Sequence, residues 1–83
     1  MKSQTYRVSC YVENKPGVLA RIVGLVSGRG YNIQTLEVGP TEDGSVSRMK
    51  MEIPGSEPAI EQIVLQLRNQ VNVMEASFRK AGR

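Results

Sequence analysis

The hydrophobic period changes between two and about 3.6 along this chain, and the order of those changes leaves few folds open. Tyr6 to Glu13 (YRVSCYVE) alternates. Tyr6, Val8, Cys10 and Val12 point one way, and Arg7, Ser9, Tyr11 and Glu13 the other, as in a half-buried strand. Asn14 to Pro16 ends it. Val18, Leu19, Ile22, Val23, Leu25 and Val26 then recur at helical spacing, with Arg21 and Arg29 outside the stripe. Pro16 suits the first helical turn, where a missing donor is no loss. Gly30 suits the left-handed position behind the last turn. Gly24, inside the helix, is destabilising by about 1 kcal/mol relative to Ala; close packing of a neighbouring strand or chain accounts for it as well as a tolerated defect does.

Asn32 to Gly39 is expected to form a second, less regular strand. Pro40 to Gly44 is turn chemistry, with Asp43-Gly44 the strongest part of the signal. Val46 to Ile53 alternates again, Met49, Met51 and Ile53 inward, so these two strands should form a hairpin that Pro54 and Gly55 close. Ser56 is placed to cap a second helix whose stripe is Ile60, Ile63, Val64 and Leu67. Val71 to Phe78 is the last strand, and its apolar parity slips between Val73 and Met74, which predicts a bulge or an edge position.

The order is β-α-β-β-α-β. Its compact solution is an α+β fold: one antiparallel four-stranded sheet with both helices on one face, the ferredoxin-like sandwich, with the first and third strands central. At 83 residues the chain makes a single domain. Its core should run from about residue 6 to 78, and residues 79–83 should form a basic tail. A core of this size is thin, and association would bury more apolar surface.

The inventory excludes several classes of function. There is no histidine and only one cysteine, so no Cys-His or Ser-His pairing and no metal cluster with ligand spacing can be built. Glu42-Asp43 is the one adjacent acidic pair, and it sits in a turn. No catalytic residue is therefore expected, and no metal. An RNA-binding family with this topology stacks bases on aromatics of its central strands. The open face here would show Arg7, Ser9, Tyr11, Arg48, Lys50 and Glu52, in which one tyrosine is a poor platform. The net charge of +3 gathers partly at Arg79, Lys80 and Arg83 and reads as a solvated end, so no nucleic acid is expected. A copper-chaperone reading needs a C-x-x-C that the chain lacks. Met1 to Thr5 carries no apolar run of the kind a signal peptide needs, and no stretch suits a membrane span. With Cys10 unpaired, a reduced cytoplasmic setting is expected.

What remains is the turn Asn14-Lys15-Pro16-Gly17 at a helix start. The first turn carries unpaired N–H groups and a partial positive charge, which favours a carboxylate. Gly17 would let a ligand approach the backbone. Asn14 offers donor and acceptors to the ammonium and carboxylate of a free amino acid. Equally, Asn14 is an ordinary cap and Gly17 relieves crowding, and Asn32 is the first residue of a strand. The residues alone leave both readings standing.

The run E-N-K-P-G-V-L-A-R-I-V-G-L-V-S-G-R-G-Y-N-I, with L-E-V-G-P-T and S-R-M after it, resembles the N-terminal ACT domain of the small regulatory subunit of acetolactate synthase (acetohydroxyacid synthase). The similarity covers about Tyr6 to Phe78. The E-N-x-x-G turn occurs in many ACT domains; its combination with R-G-Y-N-I, G-P-T and S-R-M is much more specific. The resemblance implies a homodimer through ACT domains and an amino-acid site between the two copies. The ligand would be a branched-chain amino acid, usually valine, whose binding inhibits a separate large catalytic subunit that the small subunit also activates. That large subunit would use thiamine diphosphate, Mg and FAD; this chain would hold no cofactor. By position, Asn14, Gly17 and Val18 correspond to the ligand-binding helix start, with the Gly17 and Val18 amides and Asn14 on the head group. Asn32 and Ile33 correspond to the element that closes over it from the other chain, and Leu19 to a neighbour of the side-chain pocket. Two alternatives share the fold: a ligand-independent interaction module that activates the large subunit, and an ACT sensor of another amino-acid enzyme. The family's usual small subunit is about twice this length, so the chain is expected to be a short form or a fragment.

Overall fold

A computed structural model describes residues 4–81. Six elements follow in the expected order: β1 (Gln4–Glu13), α1 (Val18–Gly28), β2 (Thr35–Pro40), β3 (Val46–Gly55), α2 (Glu57–Arg68) and β4 (Val73–Lys80). The strands form one antiparallel sheet in the order β2-β3-β1-β4, with β1 and β3 central, as the two cleanest alternations predict. One face of the sheet carries the helices; the other is open.

The core follows the two periodicities. Tyr6, Val8, Cys10 and Val12 of β1 and Met49, Met51 and Ile53 of β3 are buried under Val18, Ile22 and Val26 of α1 and Ile60, Ile63, Val64 and Leu67 of α2. The Tyr6 and Phe78 rings meet edge-on, with centroids 6.0 Å apart. Ser56 caps α2 as expected, its hydroxyl accepting from the Ala59 amide at 3.4 Å.

Several boundaries move. β2 begins at Thr35 rather than Asn32: Asn32 and Ile33 lie in a connecting segment, and pairing with β3 starts only where the Gln34 amide donates to the Glu52 carbonyl at 2.8 Å. Pro54 and Gly55 belong to β3, paired with Thr5 and Gln4. Pro16 lies before α1, not in its first turn; the N-cap is Gly17. Arg79 and Lys80 lie in β4 opposite Arg7 and Tyr6, not in a tail. Met1 to Ser3, where the leader reading begins, and Arg83, at the end of the proposed tail, lie outside the described residues.

The two edges of the sheet differ. On β4 the pairing with β1 shifts between Tyr11 and Val12, whose opposite residues are Glu75 and Val73, so Met74 bulges out. This is the parity slip of the sequence, at an edge position. The Arg68 Nε also donates to the Ala76 carbonyl of β4 at 3.0 Å. On β2 every residue but Gly39 is exposed. Leu36 and Val38 sit opposite Met51 and Met49, hence on the helix side, yet each is 45% exposed because no helix reaches over them.

Cys10 is fully buried in β1, and burial pushes its thiol up from 9.0 to about 11. At pH 8 it is expected to resist alkylation in the folded protein and to react only on unfolding. Because the folded thiol holds its proton to a higher pH than the unfolded one, its contribution to stability is present below pH 9 and lost between about 9 and 11. The advantage of wild type over Cys10→Ala in urea midpoint should shrink across that interval; a constant difference would refute it.

Candidate functional site

The turn between β1 and α1 is a built structure. Gly17 has φ +84°, a left-handed conformation that favours glycine, and a Cβ there would meet nothing within 4 Å. Backbone geometry, not crowding, is therefore what requires glycine at this position. No side chain caps α1. The Val18 amide donates to the Lys15 carbonyl at 3.2 Å, so this expected head-group donor is already engaged within the chain. Among the described residues no hydrogen bond reaches the amides of Gly17, Leu19 or Ala20. These three N–H groups are the ones a carboxylate could meet at the helix start.

Both sides of the turn are braced. Asn14 does not cap the helix: its side-chain Nδ2 donates to the Gly44 carbonyl at 3.1 Å and its amide to the Ser45 carbonyl at 2.8 Å, tying the turn to the β2–β3 hairpin. On the other side Arg21 donates to Asn72 at 3.2 Å and Asn72 donates to Glu13, whose carboxylate also lies 3.8 Å from the Lys15 ammonium. Asn14 and Gly17 are exposed, while Val18 is buried as part of the core.

The other two site residues are elsewhere. Gly30 has φ +87° behind α1, as its position predicts, and leads to exposed Asn32 and half-buried Ile33. This segment joins β3 at Glu52, whereas Asn14 meets the hairpin beside Val46. Those two β3 positions are six residues apart, about 20 Å at 3.3 Å per residue. One chain thus brings Asn14, Gly17 and Val18 together and holds Asn32 and Ile33 at the opposite end of the sheet. None of the five lines the concavities found along the open face and the β2 edge, of which one of about 680 Å³ lies between Tyr11, Arg48 and the hairpin tip. The sequence reading missed Gly44 as the tether of Asn14: the two residues are 30 positions apart and the acceptor is a backbone carbonyl, which carries no residue signature.

Among the described residues no group of His, Cys, Asp and Glu could hold a metal ion, and no helix is long and apolar enough to cross a membrane. The open face mixes charges: Arg7 pairs with Glu52 at 2.9 Å, and Lys50 sits opposite Glu37.

A four-stranded sheet in this order under two helices is the ACT architecture. The ACT domain of GTP pyrophosphokinase from Chlorobium tepidum superposes with a TM-score of 0.81 over 95% of this chain and 89% of that one, at 18% identity, a likeness of fold alone. The chain belongs to the family of AHAS small subunit-like ACT domains, which it matches over residues 8–75. It is 47% identical over 75 residues to the acetolactate synthase small subunit of Mycobacterium avium, covering 90% of this chain and 45% of the relative. It is 46% identical over 70 residues to the isozyme 3 small subunit of Escherichia coli K12, covering 84% and 43%. The crystal structure of the acetolactate synthase small subunit from Thermotoga maritima superposes with a TM-score of 0.82 at 35% identity, over 89% of this chain and 46% of that one. The chain spans less than half the length of these relatives. The expected family and fold are thereby borne out.

Proposed function

We propose that this domain is a non-catalytic regulator of acetolactate synthase, working as a homodimer that binds a branched-chain amino acid, valine first among them, between its two copies. Binding shifts a conformational equilibrium in the large catalytic subunit, which the domain activates in the absence of ligand and restrains in its presence. The proposed setting is the cytoplasm.

One observation carries the reading. Asn14-Gly17 and Asn32-Ile33 lie at opposite ends of the sheet, about 20 Å apart along β3 by strand geometry, while β2 offers an open edge. If two β2 edges pair antiparallel, the start of each β2 lies beside the end of the other. Asn32 and Ile33 of one copy then approach the hairpin of the second copy, to which Asn14 is tied. Leu36 and Val38 become covered in the same step. Exposed Gly24 also meets nothing in its own chain, so intrachain packing does not explain it, which leaves a neighbouring chain or a tolerated defect as its reason.

Calorimetric titration with L-valine, L-leucine and L-isoleucine tests the proposal. Binding of L-valine at one to two ligands per dimer is expected, and no heat from any of the three at millimolar concentration removes the sensing role. A second reading has its own support: the Val18 amide and one Asn14 amide proton are already satisfied within the chain, as in a module that senses nothing. Adding the chain and then L-valine to the large subunit separates the two. Activation that L-valine does not reverse favours the interaction module.

A further inference from the structure

The cations of the two central strands do not share one environment. Arg7 of β1 pairs with Glu52 opposite it at 2.9 Å, and Lys50 of β3 sits opposite Glu37 of β2. Arg48 of β3 has no carboxylate in register: its cross-strand neighbours are Gly39 on one side and Tyr11 on the other. Gly39 carries no side chain, so β2 neither pairs with the guanidinium nor covers it. Arg48 is exposed and has no hydrogen-bond or ion-pair partner among the described residues.

Arg48 and Tyr11 form the floor of the hollow of about 680 Å³, and the hairpin walls it with Pro40 to Asp43 and Val46. Most polar groups of that wall are engaged. The Thr41 hydroxyl lies 2.8 Å from the Asp43 carbonyl and 3.0 Å from that of Val46. The Asp43 carboxylate accepts from the Ser45 amide at 2.9 Å and from its hydroxyl at 2.7 Å, and the Val46 amide donates to the Asp43 carbonyl at 2.9 Å. The wall is therefore pre-formed. What the hollow leaves without a partner among the described residues is the Arg48 guanidinium, the Tyr11 hydroxyl and the Glu42 carboxylate, beside the apolar surface of Pro40, Val46 and the Tyr11 ring.

We propose that this hollow docks a protein segment that carries a carboxylate side chain next to an aliphatic one. The inference rests on the regulatory partnership proposed above and names the surface of this chain that meets the partner. A guanidinium takes a carboxylate through two parallel N–H bonds, and the Tyr11 hydroxyl adds a further donor. The apolar wall takes the neighbouring side chain. One unpaired arginine suits one carboxylate. A nucleic-acid backbone would instead meet Glu42, Asp43 and, opposite Tyr11 in β4, Glu75, whose charges repel it. The hollow shares no residue with the strip of Leu36 and Val38, so docking and edge pairing do not compete for the same side chains.

The test measures binding of the purified large catalytic subunit to wild type, Arg48→Gln, Arg48→Lys, Tyr11→Phe and Glu42→Gln, with urea midpoints and sedimentation as controls of fold and association. Arg48→Gln should weaken binding by about tenfold or more, because a charge-assisted bond is lost and the partner's carboxylate is left without its counter-charge. Arg48→Lys should recover only part of the loss, since an ammonium lacks the planar fork. Tyr11→Phe should weaken binding by about threefold. Glu42→Gln removes a like charge and should bind as well as wild type or better. Midpoints and oligomeric state should stay within error across the set. With p-benzoylphenylalanine in place of Tyr11, photolysis should link this chain to a segment of the large subunit that contains Asp or Glu. Wild-type affinity in Arg48→Gln, a loss in Glu42→Gln equal to that in Arg48→Gln, or a linked segment without Asp or Glu overturns this inference alone. Tight binding of single-stranded RNA that Arg48→Gln abolishes does the same. No binding of the large subunit by wild type at micromolar concentration overturns the regulatory partnership and this inference with it.

Discussion

Gly17→Asp is expected to lower amino-acid affinity by more than about tenfold while the domain stays folded. Asp is among the few residues that enter the left-handed region at modest cost, and at φ +84° the new side chain points into open space. The fold should therefore lose only about 1 to 2 kcal/mol. The ligand is affected more strongly. A carboxylate at about 4 Å from the ligand's own carboxylate repels it by about 1 kcal/mol in bulk water and about 4 kcal/mol near a protein surface. Gly17→Asn is the matched control, with the same backbone tolerance and no charge, and should keep most of the affinity. Calorimetry on the pair decides the matter. Equal losses in both variants would assign the effect to backbone strain, and wild-type affinity in Gly17→Asp would remove the helix start from the site.

Val38→Lys is expected to leave the chain monomeric under conditions where the proposed wild-type dimer forms. The lysine would lie in the covered strip between two β2 edges, and burying an unpaired ammonium outweighs what the remaining edge contacts can return. Val38 is 45% exposed in the single chain, so the monomer itself should lose no more than about 0.5 kcal/mol. Val71→Lys, at an 87% exposed position of the α2–β4 loop, is the control that should stay dimeric. Sedimentation at micromolar concentration reads the outcome. A dimeric Val38→Lys moves the interface off β2, and with it the route by which Asn32 and Ile33 reach the helix start. Amino-acid affinity should fall in the same variant, since the proposed site depends on the proposed dimer.

The sequence carried most of the architecture because its buried faces are complete. The period of two in β1 and β3 and the stripe Ile60, Ile63, Val64 and Leu67 in α2 each report a face wholly under cover, and each was placed correctly. β2 read poorly for the converse reason. Its helix-side residues Leu36 and Val38 are half uncovered, so no selection for an apolar face marks where the strand begins, and the start slid by three residues to Thr35. The bulge at Met74 was legible because an inserted residue shifts apolar parity. The turn before α1 was legible as a turn but not as a shape. Proline's preference for the first helical turn misplaced Pro16, and the left-handed Gly17 was the actual N-cap. The candidate site was legible only as residue types. That Asn14 is held by a carbonyl thirty positions away, and that Val18 spends its amide on Lys15, are consequences of tertiary closure that no local pattern records.

The unequal edges of the sheet set the valence of the domain. β4 is interrupted as an edge by the Met74 bulge and by Arg68 on the Ala76 carbonyl, whereas β2 offers an unbroken exposed ladder. A unit with one such edge can join one other by a two-fold axis, after which neither has an edge to offer. In the proposed dimer, strand addition would therefore stop at an eight-stranded sheet instead of running on into a filament, and a small domain could keep a sticky edge without the hazard that sheets with two of them carry.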